Sequence, residues 1–227
     1  MPPALDALDH QLIVSCQAPS DSPLYAPEMI AAMAQAAVLQ GAAAVRIDTP
    51  AHIEAVRKVL PSIPIIGLWK QQIPDSEVYI TPRFADARAI AAAGADIIAL
   101  DATRRDRPNG EQLPDLVQRI RAELGKGVMA DADDLAGAKV ALEAGADIVG
   151  TTLYGYTAQT RRDQPPAWAL LKQLVQLGCF TICEGGIATP AMAQTALDLG
   201  ANAVVVGTAI TGIDLKVQAF LKPFQQY

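Results

Sequence analysis

Apolar residues fall along the chain in short unbroken runs, and the stretches between them carry apolar positions at helical spacing. Four segments repeat one plan: AAVLQGAAAVRID ending at Asp48, AIAAAGADIIALD ending at Asp101, VALEAGADIVGTT ending at Thr152 and TALDLGANAVVVGTA ending at Ala209. In each, an alanine-rich helical stretch meets a glycine, then a small residue or two, then an apolar strand. The glycine stands where a helix ends, because glycine takes the left-handed conformation without strain. Four further runs, at 11–17, 63–69, 127–131 and 179–186, also read as strands. The last three follow helical patterns such as HIEAVRKVL, LPDLVQRIRAELG and AWALLKQLVQLG.

The strands therefore begin near residues 11, 44, 63, 96, 127, 147, 179 and 203. Strands alternating with helices predict a parallel sheet. Eight such units predict a closed (β/α)8 TIM barrel of the α/β class, spanning residues 1–227 as a single domain. An open doubly wound sheet fits less well, since no dinucleotide-type glycine loop follows the first strand. The loop 70–83 reads as the longest connection and is placed to act as a lid.

Composition agrees with this picture. The chain has 227 residues, 51% of them hydrophobic and only 5% aromatic, as an aliphatic parallel-sheet core requires. Eighteen Lys and Arg against 24 Asp and Glu give a net charge of −6. That balance argues against nucleic acid and anionic membrane as partners, because both need basic patches. An anionic ligand must then be held by local groups. Cys16, Cys179 and Cys183 show no zinc-like spacing and read as buried thiols of a reducing compartment. No signal peptide or membrane-spanning run is legible, so a cytoplasmic protein is expected.

Barrel active sites are built at the C-terminal ends of the strands. Those ends offer Gln17, Arg46 and Asp48, Lys70, Asp101, Asp131, Thr151 and Thr152, Glu184 to Gly186, and Gly207 to Thr208. Lysine, arginine and carboxylates converging on one rim must be paired or solvated. Lys70, directly after the apolar run PIIGLW, is either a solvated strand end or a group that does chemistry. Arg46 could pair with Asp48 or hold Glu184 or a ligand. EGGI after the seventh strand and VGTAI after the eighth place Gly185, Gly186, Gly207 and Thr208 where barrels often bind phosphate, with backbone N–H groups as donors. DADD at 131–134 suggests a metal site, but His10 and His52 both lie away from strand ends, so a solvated helix start is the better reading of Asp133 and Asp134. No metal and no cofactor are expected.

The segments LIVSCQA, AVRID, PIIGLWK, IIALDAT, MADAD, VGTTLYGYT and EGGI occur in one order across nearly the whole chain. With them the sequence resembles the N-acetylmannosamine-6-phosphate 2-epimerase family. The resemblance implies a metal-independent isomerase that interconverts N-acetylmannosamine 6-phosphate and N-acetylglucosamine 6-phosphate in sialic acid breakdown. It implies that Lys70 and Glu184 carry the chemistry and that Gln17, Arg46 and Asp131 contact the sugar phosphate. The sequence departs from the family at Gly212, where arginine is common, and at Tyr154, where a smaller residue is usual. Weaker ligand binding, recovered by Gly212→Arg, is the expectation from the first departure.

Inversion at C2 needs a proton removed next to an open-chain carbonyl, through an enediol-type intermediate. Lys70 is the expected base and Glu184 the expected acid, titrating as a coupled pair. A Schiff-base aldolase would use the same lysine covalently. A sugar-phosphate-binding protein without turnover is the other alternative. The acidic surface and alanine-rich helices permit a homodimer.

Overall fold

In the computed structural model, which describes residues 5–226, eight parallel strands close into a barrel in chain order. They are β1 (Gln11–Cys16), β2 (Ala44–Asp48), β3 (Ile65–Leu68), β4 (Ile97–Asp101), β5 (Gly127–Asp131), β6 (Ile148–Gly150), β7 (Phe180–Glu184) and β8 (Ala203–Val206). Closure comes from β1, which pairs with β2 on one side and β8 on the other. β3 starts two residues later than the hydrophobic run suggests. Pro64 has no N–H to give the ladder, although its carbonyl still accepts from the Val45 amide.

Helices return the chain between strands: α1 (Pro27–Leu39), α2 (Pro50–Val59), α3 (Phe84–Ala92), α4 (Leu113–Arg119), α5 (Leu135–Glu143), α6 (Trp168–Val175) and α7 (Pro190–Asp198). After β8 come the short α8 (Thr208–Thr211) and α9 (Ile213–Leu221). The four glycines of the sequence repeat, Gly41, Gly94, Gly145 and Gly200, all have positive φ, between 97° and 107°. Each ends a helix in a conformation that other residues adopt at a cost. At the opposite ends, Thr49, Asp134 and Thr189 cap α2, α5 and α7 by accepting backbone N–H groups.

Side chains alternate along each strand. One parity faces the helices: Val45, Ile47, Ile65, Ile98, Leu100, Val128, Ala130 and Val149 form the outer core with α1 to α6. The other parity fills the barrel: Ile13, Ala44, Ile66, Leu68, Ile97, Ala99, Met129, Ile148, Ile182, Ala203 and Val205. Leu8, fully buried, joins this inner cluster from the turn that precedes β1.

Two loops differ from expectation. The connection 151–167 after β6 is longer than that after β3. The segment after β3 is also pinned rather than free to act as a lid. Lys70 bridges Ile80, Gln71 donates to the Tyr79 carbonyl, Thr81 donates to Trp69, and Asp101 donates to Ile80. Arg105 and the buried Arg107 tie its far side through the carbonyls of Glu77, Thr81 and Pro82.

Candidate active site

The inward parity of each strand continues past its last apolar residue onto the rim. On β2 the inward series Ala44 leads to Arg46 and Asp48. On β3, Ile66 and Leu68 lead to Lys70. On β5, Met129 leads to Asp131, and on β7 Ile182 leads to Glu184. On β6, Ile148 and Gly150 lead to Thr152; a Cβ at Gly150 would lie 2.6 Å from the Met129 methyl, so glycine there makes room for the layer below. Backbone alternation alone therefore brings the polar strand ends to one mouth.

Arg46 is 3% exposed and binds two carboxylates. Its Nη1 donates to Glu184 Oε1 at 2.7 Å and its Nη2 to Asp131 Oδ2 at 2.5 Å. The pairing with Asp48 does not form as a direct contact; Asp48 Oδ1 instead accepts the Lys70 backbone N–H at 3.0 Å. The Thr152 hydroxyl lies 2.7 Å from Asp131 Oδ1 and 3.1 Å from Glu184 Oε2. Arg46, Asp131, Thr152 and Glu184 thus form a closed ring. Burial works against the charge on Arg46, and Asp131 and Glu184 outweigh it, so the guanidinium stays protonated. Asp131 is fully buried, and that desolvation pushes its carboxyl up to about 7 against the pull of Arg46.

Lys70 Nζ lies 2.5 Å from Gln17 Oε1 and 3.9 Å from Asp48 Oδ2. Gln17 is turned by its own amide, which donates to Ser15 Oγ at 3.0 Å. Desolvation at the mouth is the largest influence on Lys70 and lowers its pKa; Asp48 resists, and Arg46 reinforces the fall. The side chain is still 44% exposed to the open cavity. A ligand that displaces water from it would deepen the depression.

These groups line a cavity of about 1000 Å³, which also reaches Gly185, Gly186, Gly207 and Thr208. Gly185 and Gly186 both have positive φ, and a Cβ on Gly186 would meet the Pro165 carbonyl carbon at 2.7 Å. The loop after β6 thus presses directly on the glycine turn after β7. Gly207 is the N-cap of α8. Lys216 on α9 lines the same end of the cavity. A Cβ at Gly212 would lie 2.8 Å from Thr208 Cα, so any side chain there displaces the α8 turn. The simple gain expected from Gly212→Arg has to offset that displacement.

Asp131 lies beneath the cavity, behind Arg46 and Thr152, with no exposed surface. Asp101 is equally buried and holds Thr103 and Arg105. Asp133 accepts from Thr157, and Asp134 caps α5 and takes Arg104, so both acids of the DADD run after 131–132 have structural partners. Tyr79, Tyr25 and Tyr156 line the cavity; Tyr79 and Tyr25 carried no sequence motif that marked them.

Comparison with known proteins bears on this geometry. The family described as "Putative N-acetylmannosamine-6-phosphate epimerase" matches residues 30–226. A protein of Thermosynechococcus vestitus named "Putative N-acetylmannosamine-6-phosphate 2-epimerase" is 68% identical over 211 residues, 92% of this chain and 91% of the relative. One of the same name from Synechococcus elongatus is 60% identical over 219 residues, 96% and 94% of the two chains. Among solved structures, the N-acetylmannosamine-6-phosphate 2-epimerase from Clostridium perfringens superposes with a TM-score of 0.91 at 42% identity, covering 96% of this chain and 95% of that one.

Proposed function

The chain belongs to the N-acetylmannosamine-6-phosphate epimerase family, and from that premise we propose that it inverts C2 of N-acetylmannosamine 6-phosphate to give N-acetylglucosamine 6-phosphate. The observation that carries the assignment of roles is that Lys70 and an Arg46-held Glu184 share one cavity with a glycine-lined end.

In this reading the open-chain aldehyde lies with its C2–H toward Lys70. The neutral amine takes that proton, the C–H electrons move into the C1 carbonyl, and Glu184 gives a proton to the carbonyl oxygen. An enol forms without a full negative charge on oxygen. After the enol turns in the cavity, the Lys70 ammonium gives its proton to the opposite face of C2, the enol O–H returns its proton to Glu184 as the C1 carbonyl reforms, and the epimer results. Gln17 accepts from Lys70 and aims its amine. Arg46 and Asp131 set the orientation of Glu184, and substrate contact by Asp131 passes through Thr152. Gly185, Gly186, Gly207 and Thr208 take the phosphate through backbone N–H groups, and Lys216 adds a cation at that end.

Two further properties extend the proposal. The substrate is a phosphorylated sugar, which stays on the side of a membrane where it is made, and the three cysteines are free; both support the reading of a cytoplasmic enzyme. No helix among the described residues is long and apolar enough to cross a membrane. A homodimer is supported by α9, which buries no residue on its own barrel and exposes Ile213, Leu215, Val217 and Phe220.

The test is to incubate the protein with N-acetylmannosamine 6-phosphate in deuterated water and follow C2 by NMR. The expected result is N-acetylglucosamine 6-phosphate carrying deuterium at C2, with far lower kcat/KM for unphosphorylated N-acetylmannosamine. No conversion, or a borohydride-trapped adduct on Lys70, would overturn the assignment.

A further inference from the structure

Counting protons in the buried ring exposes a mismatch. Each carboxylate gives one oxygen to Arg46 and turns the other to the Thr152 hydroxyl. A hydroxyl has one proton to donate and lone pairs to accept with. If Asp131 and Glu184 are both ionised, Thr152 can satisfy only one of them, and its second contact sets lone pair against lone pair. One added proton removes the conflict. A protonated carboxyl donates to Thr152 Oγ1, Thr152 donates to the other carboxylate, and Arg46 balances the one remaining negative charge.

We propose that Thr152 is a positioning residue through which Asp131 and Glu184 share a single proton, so that Glu184 is armed as an acid from inside the barrel. The inference rests on Glu184 being the acid of the proposed reaction. In the resting ring the proton is on Asp131, which donates to Thr152 Oγ1, while Thr152 donates to Glu184 Oε2. When the substrate carbonyl needs a proton, the Thr152 O–H bond breaks as its proton passes to Glu184 Oε2, the Asp131 proton passes to Thr152 Oγ1, and Glu184 releases the one proton it has gained to the carbonyl oxygen. The return of the proton from the enol oxygen reverses the sequence and restores Asp131 to its starting form.

The surroundings fit a buried reservoir. Asp131 has no exposed surface, while Thr152 and Glu184 line the cavity. Desolvation pushes the Asp131 carboxyl up to about 7. The charged and titratable groups facing the ring are Arg46 and Asp48 from β2, Lys70 and Tyr79 from the segment after β3, and Asp101 from β4, which is itself paired with Arg105. Among the described residues, only Arg46 makes an ion pair with the two ring carboxylates.

The test compares Thr152→Val, which keeps the shape and removes the hydroxyl, with Thr152→Ser, which keeps the hydroxyl. Both are measured as pH profiles of kcat and KM in the epimerase assay, with Glu184→Gln alongside. A hydroxyl favours the one-proton ring over the proton-free ring. Thr152→Val is therefore expected to lower kcat by at least about ten-fold, move the basic limb of the kcat profile to lower pH, and leave KM nearly unchanged. Thr152→Ser is expected to keep the wild-type limb. A normal kcat and profile in Thr152→Val, or a loss with an unmoved limb, overturns the proposal. So does an equal loss in Thr152→Ser. If Thr152→Val does not fold, Asp131→Asn carries the test: it cannot store the proton, and an unmoved basic limb in that variant overturns the proposal equally. Activity retained in Glu184→Gln would instead reject Glu184 as the acid, which separates failure of the relay from failure of the reaction assignment.

Discussion

Asp131 shows what a residue at this site costs the fold. Its carboxyl holds a proton up to about pH 7 in the folded chain but has an ordinary value of 3.8 outside it. Between those values the native state binds more protons than the unfolded state, so stability falls as pH rises through the window. Asp131→Asn removes that titration. Thermal melts from pH 4 to pH 7 are expected to show the wild-type Tm declining relative to the variant as pH rises. Parallel curves would show that Asp131 is not protonated in the native state. The same residue was legible in the sequence as an acid at a strand end and, through the resemblance, as a substrate contact, but not as a fully buried group. Its burial depends on Arg46 from β2 and Thr152 from the connection after β6.

The elements themselves were largely legible. The helix–Gly–strand repeat marked helix ends, and the positive φ of Gly41, Gly94, Gly145 and Gly200 is the physical reason the pattern worked. Strand alternation also put Lys70, Arg46, Asp131 and Glu184 on one rim, because parity is a local property. What pairs with what was legible only in part: Glu184 stood among the partners offered for Arg46, and Asp131 did not. Arg46 and Asp48 lie two apart on one strand, yet Arg46 reaches across to β5 and β7. Thr152 stood at a strand end inside the segment VGTTLYGYT with no role assigned to it, and only its two carboxylate neighbours give it one. The loop after β3 looked free because its hydrogen bonds are to distant partners. The glycine turn after β7 belongs to the same class of non-local contact, since Gly186 backs onto Pro165. Gly186→Ala adds a Cβ into that contact at a φ of 71°, and the left-handed strain alone costs ~1–3 kcal/mol. The variant is expected to melt earlier and to bind the sugar phosphate more weakly, by calorimetry and by KM. Unchanged values for both would mean that the two loops are not coupled.

For the whole molecule, the proposed phosphate end reconciles a net acidic chain with an anionic ligand by confining that ligand to backbone donors and few cations. Arg46, Lys70 and Lys216 line the cavity, and Arg46 is already committed to two carboxylates. The exposed apolar residues gather on the C-terminal segment, where Phe220 is 75% and Phe224 72% exposed. A two-fold pairing of this segment would cover the same residues on both copies. Phe220→Asp with Phe224→Asp is expected to shift sedimentation from dimer to monomer. A wild-type monomer at the same concentration would contradict the pairing.

The central claim is that Lys70 removes the C2 proton. It is tested most directly by measuring deuterium exchange at C2 of N-acetylmannosamine 6-phosphate in deuterated water with the wild type and with Lys70→Ala. The account predicts that exchange and epimerisation fall together by at least about a hundred-fold in a variant that keeps its circular dichroism spectrum. Exchange persisting near the wild-type rate in folded Lys70→Ala would contradict it.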